Sequence, residues 1–370
     1  MRRPLRTWVF VALLASTGCG PKLTPQEGID RIVLPDGFKI EIYADSLPDA
    51  RSLALSPSGT LFIGTRDNGS VYAVRDNNAD GVADEMFTIA RSLTMPNGVA
   101  FRDGSLFVAE VDRVWRYDDI ESLLADPPAP ALITDRYPRD TWHGWKYIAF
   151  GPDGKLYVPI GAPCNVCEVE DPYGAITRMN PDGSGFEIVA RGIRNTVGFD
   201  WHPDSDDLWF TDNGRDMMGD DIPPDELNRI SRPGPHFGFP HIHAGGIQDP
   251  VFGTGRAASE FVAPVQQLGA HVAALGMEFY TGDSFPEEYR GQIFIAEHGS
   301  WNRRDKVGYR VALIRLGNDG LPISYEPFAV GWLQGRDNWG RPVDLEQMPD
   351  GSLLLSDDQA GVVYRISYTG

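Results

Sequence analysis

One phrase recurs along this chain and limits what it can fold into. It is a tight turn followed by a short apolar strand that ends in a polar residue. Ser58-Gly59 precedes Leu61-Phe62-Ile63-Gly64-Thr65-Arg66, and Asp103-Gly104 precedes Leu106-Phe107-Val108-Ala109-Glu110-Val111. Asp153-Gly154 precedes Leu156 to Gly161, and Asp206-Asp207 precedes Leu208-Trp209-Phe210-Thr211-Asp212-Asn213. Arg290-Gly291 precedes Ile293-Phe294-Ile295-Ala296-Glu297-His298, and Asp350-Gly351 precedes Leu353-Leu354-Leu355-Ser356-Asp357-Asp358. The copies lie about 45 to 85 residues apart, the range of propeller blades that carry insertions.

Several copies continue into a second strand, as in Ser70 to Val74, Arg113 to Tyr117 and Gly361 to Ile366. Another strand precedes many of the turns, as in Ser52 to Leu55 and Tyr147 to Phe150. Three or four short antiparallel strands per copy make one blade. A blade cannot bury both faces alone, so the copies must stack around an axis. The 41 glycines and 29 prolines, with no long stretch of capped helical spacing, favour the same all-β reading. Equivalent positions in stacked blades form a ring. The polar residues that close the phrase (Arg66, Glu110, Asp212-Asn213, Glu297-His298, Asp357-Asp358) are therefore expected near one mouth of the channel.

The formal net charge is -19 over 370 residues, which disfavours a nucleic-acid partner, since phosphate binding needs a basic face. Acidity serves solubility, and some carboxylates could hold calcium, which prefers oxygen ligands. The N-terminus reads as a targeting segment over residues 1–18. Arg2, Arg3 and Arg6 precede an apolar run from Trp8 to Ala15 that is short for a bilayer span. Ser16-Thr17-Gly18-Cys19 resembles a bacterial lipoprotein cleavage box, with Ser16 where leucine is usual. Cleavage before Cys19 would give a lipid anchor in the membrane, and an ordinary secretory signal is the alternative. Either way a periplasmic, exported protein is expected, with residues 19–30 as a polar tether and 31–370 as a single propeller domain. Cys164 and Cys167 then remain and read as a small disulfide loop. Zinc needs more ligands, and attached haem needs a histidine where Glu168 stands.

The fifth copy arrives late, after an insertion that includes His236, His241 and His243. Long loops on a rigid scaffold often carry function. His241 and His243 share one face of an extended chain and could bind a transition metal, or could serve loop packing and hydrogen bonding.

A set of longer motifs carries a family resemblance: Gly144-Trp145-Lys146-Tyr147, Gly161-Ala162-Pro163-Cys164-Asn165, the run Arg191 to Trp201 around Arg194-Asn195, Phe210 to Asp216, Asp225 to Asn228, Leu268-Gly269-Ala270-His271 and Ala296-Glu297-His298-Gly299-Ser300-Trp301-Asn302. Together they resemble the glucose/sorbosone dehydrogenase family, nearest its sorbosone and pyranose dehydrogenase branch. That resemblance runs from about Leu34 to the C-terminus. It implies a six-bladed β-propeller of four-stranded antiparallel sheets, with pyrroloquinoline quinone (PQQ) and calcium as cofactors. It also implies oxidation of a sugar or sugar-derived aldehyde, with electrons passing to an external acceptor such as a c-type cytochrome or a quinone. By the same resemblance His143 is the base that takes the substrate hydroxyl proton, and Arg194 and Asn195 contact the quinone. The Gly214-Arg215 turn offers backbone carbonyls to calcium. Arg66 and Arg341 are the candidates for the cofactor carboxylates, and His298 stands where glucose-type relatives use a lysine.

The chemistry asks for these residue types. Oxidising a hemiacetal removes a proton from oxygen and a hydride from carbon. A neutral imidazole suits the proton, and the hydride needs an organic acceptor. A calcium ion and guanidinium groups stabilise the negative charge that grows on the acceptor oxygen. A tricarboxylate cofactor on an acidic protein requires a local cationic pocket. From the residues alone, His143 could instead be a turn histidine bonded to backbone, and Arg194 a structural ion-pair partner. Two other functions fit a propeller: a calcium-dependent lactonase using Asp212, Glu110 and Glu297 around the metal, and a non-enzymatic binder of glycan or protein on the outer rim.

Overall fold

The computed structural model describes residues 23–370. Six four-stranded antiparallel sheets follow one another around an axis, which is the six-bladed propeller expected from the repeats. Blade 1 holds Ala50–Leu55, Leu61–Thr65, Val71–Arg75 and Glu85–Ala90 in that order, from the inside outward. Blades 2 and 3 run from Gly98–Arg102 to Ala131–Thr134 and from Ala149–Phe150 to Glu187–Arg191. Blade 4 begins at Phe199–Trp201 and ends at Gln266–Ala270, and blade 5 begins at Ala274–Phe279 and ends at Pro322–Val330. Blade 6 is closed by the N-terminal strand: Phe38–Ala44 pairs with Val362–Tyr368, the last strand of the chain. Each recurring phrase is the second strand of its blade.

These second strands are buried end to end, as in Leu61–Thr65, Leu156–Ile160 and Ile293–Glu297. A blade sandwiched between two others is wet on neither face, so continuous apolar runs replace alternation. The core is correspondingly divided into clusters that lie between neighbouring blades. The largest surrounds the closing blade, where Phe38 meets Phe285, Tyr289, Phe328 and Tyr368 edge-on at 4.8–5.1 Å. Inner strands approach each other closely: a Cβ on Gly198 would stand 2.2 Å from the Leu275 carbonyl oxygen of the next blade.

The tether expectation is corrected for its described part. Pro25–Ile29 is a short helix capped by Thr24 and Glu27, and Gly28 packs under the Trp339 ring. Leu23 and Ile29 add to the same apolar cluster, so the stretch is docked rather than loose. The leader and Cys19 lie outside the described residues. Cys164 and Cys167 form the local disulfide read from their spacing.

In a four-stranded antiparallel blade, the start of the first strand, the end of the second, the start of the third and the end of the fourth all lie at one mouth. His143 lies between blades 2 and 3, Arg194-Asn195 between blades 3 and 4, and His271 between blades 4 and 5. Arg66, Gly214 and His298 follow second strands, and Arg341 precedes the first strand of blade 6. The topology alone therefore gathers all of them at the same end.

Candidate active site

That mouth opens into a cavity of about 300 Å³ lined by His143, Trp145, Arg194, Asn195, Gly214, His271, His298, Trp301, Asn302, Arg341 and others. Its size sits at the lower edge of small-molecule sites. Four guanidinium groups line it, from Arg51, Arg66, Arg194 and Arg341, against the carboxylates of Asp216 and Asp225. In a chain of net charge -19 this is a local concentration of cations, three of them paired: Arg51 with Asp358, Arg66 with Asp67 and Arg194 with Asp216. A larger groove of about 570 Å³ lies beside Asp221, Arg303 and Arg310, but its cations are spent, Arg303 on Asp221 and Arg310 on Glu297.

His143 adopts a positive φ of 51° on its turn. Its Nδ1 lies 2.8 Å from the Ala162 carbonyl oxygen. A carbonyl only accepts, so Nδ1 carries the proton and Nε2 keeps a lone pair. Nε2 has no hydrogen-bond partner among the described residues, and the side chain lines the cavity. Burial, followed by the nearby Arg194 charge, pushes this imidazole down to about 3 despite the Ala162 bond, so it is neutral. The N–H of the same residue, Ala162, donates to the Arg194 carbonyl at 2.8 Å, which ties the two segments together. The backbone-bonded reading of His143 therefore holds, and the same bond fixes the tautomer that a base would need.

Gly161 is the seat of this turn. A Cβ there would stand 2.5 Å from His143 Cβ and 3.3 Å from Asn195 Oδ1. That Cβ would also stand 2.8 Å from the His143 carbonyl oxygen, so the Gly161→Ala variant is expected to shift the His143 backbone together with its imidazole and to lower any turnover roughly ten- to a hundredfold, more than it lowers ligand affinity. Parallel kcat and binding measurements check it.

Arg194 is buried and spends four N–H groups on the protein. Nε donates to Asn165 O (2.8 Å), Nη1 to Asn213 O (3.2 Å), and Nη2 to Asn165 Oδ1 (3.0 Å) and Asp216 Oδ2 (3.1 Å). A guanidinium has five donors, so one remains for a ligand. Its backbone N–H and that of Asn195 are held by the buried carboxylate of Asp212 at 2.9 and 2.6 Å. Asp225 likewise accepts from Gly214 N at 2.8 Å and Ala273 N at 2.7 Å. Burial raises both carboxyls, Asp212 to about 6 and Asp225 to about 7, against the pull of these amides. Arg66 pairs with the exposed Asp67 and lies over the Trp145 ring at 5.1 Å. Arg341 is the least committed: Nε reaches the His298 carbonyl at 3.4 Å, and its Nη groups have no partner among the described residues.

The structure redirects several expectations. The Arg215 guanidinium turns away from the cavity to pair with Asp249; the expectation for Arg215 concerned its backbone carbonyl, which this pairing leaves open, and the cavity meets that turn at Asn213 and Gly214. Against the penalty of burial, hydrogen bonds from His243, two backbone amides and Arg215 hold the Asp249 carboxyl well below its usual range. His243 is that carboxylate's partner at 3.0 Å, while His241 donates to the Phe252 carbonyl at 3.0 Å, so the two serve loop structure separately. The ring of closing polar residues splits by strand alternation. Arg66, Asn213 and His298, each one past its strand, face the cavity, whereas Glu110 and Asp358 at the same position of their blades do not line it. Asp212, Glu297 and Asp357, each the last of its strand, are buried in protein contacts. Glu297 is held by Arg310 and Tyr325, and Glu110 by Thr94 N and Trp115 Nε1. Asp212, Glu110 and Glu297 therefore do not converge as a metal ring, and no three His, Cys, Asp or Glu side chains among the described residues stand in metal-binding geometry. Sequence reasoning also left Arg51, Trp145, His271, Trp301 and Asn302 without site roles, although all but Arg51 sit in the motifs that carried the resemblance.

A curated protein of Borreliella burgdorferi, itself uncharacterised, is 33% identical over 362 residues, covering 94% of this chain and 93% of its own. The aldose sugar dehydrogenase YliI of Escherichia coli is 29% identical over 203 residues, 52% of this chain and 48% of that one. Among solved structures, the calcium structure of Trichoderma reesei carbohydrate-active enzyme family AA12 shares the fold at TM-score 0.77 and 20% identity, covering 91% of this chain and 97% of that one. The holo PQQ domain of pyranose dehydrogenase from Coprinopsis cinerea does so at TM-score 0.74 and 17% identity, with the same 91% and 97% coverage. These are proteins of the kind the motifs resemble, and nothing among them singles out the sorbosone branch. The family model described as a domain of unknown function (DUF7133) matches residues 24–365, and the chain belongs to that family.

Proposed function

We propose that this chain is a PQQ- and calcium-dependent quinoprotein that oxidises a sugar or sugar-derived aldehyde of the aldose, pyranose or osone type. The observation that carries the reading is the cavity itself: a neutral imidazole with an open Nε2 stands beside four guanidinium groups in an otherwise acidic molecule. The likeness to sugar dehydrogenases in fold, and to an aldose sugar dehydrogenase in half the sequence, supports it.

The donors present fit such a cofactor. Trp145 Nε1 and Asn302 Oδ1 are buried polar atoms of cavity residues, without a partner among the described residues. Arg341, Arg66 and the last N–H of Arg194 would hold carboxylates. Calcium would draw on backbone oxygen at the Gly214 turn rather than on a carboxylate cage, within that ion's ligand preferences. When bound, the quinone supplies the hydride acceptor that no side chain offers. His143 receives the hydroxyl proton at Nε2, and the Ala162 carbonyl bonded to Nδ1–H supports the imidazolium that forms. The Asp212 and Asp225 carboxylates fix the backbone from which Arg194, Asn195 and Gly214 project, so the cavity is set before substrate arrives. The lactonase reading loses its carboxylate ring, since Glu110 and Glu297 are committed inside their blades.

Export and a lipid on Cys19 complete the proposal, with an external electron acceptor. The Cys164–Cys167 disulfide suits an oxidising compartment. Cys19→Ala should move the protein from the membrane fraction to the soluble one. The central test is a titration of the full apo-chain with PQQ and calcium, followed by dye reduction with an aldose. One quinone per chain, and dye reduction that needs quinone, calcium and sugar together, is the expected result. A chain that takes up no quinone sinks the reading.

A further inference from the structure

A second imidazole faces this cavity without a task in the scheme above. His298 follows the second strand of blade 5, and Asp358 occupies the matching position in blade 6. His298 Nε2 lies 2.8 and 3.0 Å from the two Asp358 oxygens. A carboxylate only accepts, so Nε2 carries the proton and Nδ1 keeps its lone pair. Nδ1 has no partner among the described residues, and the side chain lines the cavity.

Asp358 is kept ionised. Burial raises its carboxyl, but His298, Arg51 and the Arg341 charge together hold it well below the usual range. Arg51 is 1% exposed and gives Nη1 to Asp358 and Nε to Asn97 Oδ1 at 2.7 Å. Asn97, fully buried, donates in turn to Ser52 Oγ and to the Lys146 carbonyl, both at 2.8 Å. Lys146 Nζ donates to the carbonyl of Gly144, the residue after His143. One buried belt of hydrogen bonds thus runs beneath the cavity from one histidine segment to the other. Hydrogen bonds in such a buried belt reinforce one another and tie the two histidine segments together.

We propose that His298, backed by Asp358 and Arg51, is a second acid–base group of this cavity and takes the proton released when the reduced cofactor is reoxidised. The proposal rests on the quinone reading. In the first half-reaction the hydroxyl proton goes to His143 Nε2 and the hydride leaves the substrate carbon with its electron pair. That hydride later departs as two electrons, taken by an external dye or by two one-electron carriers, and one proton. The proton passes to His298 Nδ1 and the cavity mouth returns it to water. Burial and then the Arg341 charge work against the imidazolium and lower this histidine to about 4, and the Asp358 carboxylate across Nε2–H opposes that penalty, so the proton is held only in passing. Two imidazoles with separate partners keep the two protons from competing for one base.

The test has two arms. In the apo-protein, nitrogen NMR of labelled histidine should show His298 with its proton on Nε2. Asp358→Asn, whose amide can donate to Nε2, should move that proton toward Nδ1. In quinone-loaded protein, stopped-flow of Asp358→Asn should show reoxidation by dye slowed at least about tenfold more than cofactor reduction by sugar. His298→Gln removes the acceptor nitrogen without touching Asp358 and must show the same selective slowing, which decides the matter if the Asp358 variant folds poorly. A wild-type proton on Nδ1, unchanged reoxidation, or equal slowing of both half-reactions overturns the proposal. A wild type that binds no quinone removes the reading beneath it, and the titration reveals that before any variant is made.

Discussion

His143→Ala is expected to lower turnover of the quinone-loaded protein about 10²- to 10⁴-fold, the usual contribution of a positioned general base, while cofactor affinity stays nearly unchanged. The split follows from position. His143 offers one open nitrogen to the cavity and no charge, whereas the cofactor carboxylates would be held by guanidinium groups on other segments. Its titration carries a second expectation. Burial and Arg194 push the imidazole down to about 3, so the apo-protein should show no His143 protonation by NMR above roughly pH 5. The sign for stability is fixed by the same shift. The unfolded chain binds a proton near the ordinary value while the folded one does not, so the contribution is present above about pH 6.5 and is lost as pH falls toward 3. An equal fall in turnover and in quinone affinity, or a His143 proton appearing near pH 6.5, would falsify the assignment.

The fold was legible because its signal is repetitive. Six turn-and-strand phrases survive insertions, and each proved to be the second strand of a blade. The mouth was legible for the same reason, since blade topology fixes which ends of which strands share it. Individual side-chain directions were less so. Asp212 and Asn213 are neighbours in the chain, yet one is buried under the Arg194 backbone and the other faces the cavity, because strand residues alternate. Arg215 was placed at the calcium turn by resemblance, and a buried Asp249 from the distant insertion claims its side chain. No local pattern announces such a partner. Arg51 was missed because an arginine inside an apolar strand reads as a strand end. Its burial is tolerable only through Asp358 and Asn97, 307 and 46 residues away.

Arg341→Ala is expected to weaken quinone binding about 10- to 200-fold, the equivalent of about 1.5–3 kcal/mol for a hydrogen bond to a charged group. The ranking among the four cavity arginines comes from their existing commitments. Arg51 is tied to Asp358 and Asn97, Arg194 has spent four N–H groups, and Arg66 is half-neutralised by Asp67. Arg341 has its terminal nitrogens open and only a 3.4 Å bond from Nε to the His298 carbonyl. Arg194→Ala should read differently. It leaves Asp216 and Asn165 without their shared partner, so a fall in melting temperature should accompany any loss of affinity. Arg341→Ala should melt closer to the wild type, because no ion pair breaks with it and only the longer-range support of the Asp358 charge is lost. Arg341→Lys should recover part of the affinity through charge and lose the bidentate part. Quinone titrations and thermal melts on the three variants check this order, and an Arg341 variant that binds quinone as tightly as wild type would remove the cationic pocket from the argument. Raising salt should weaken binding in all of them, least where the guanidinium is most buried, since screening reaches exposed charge first.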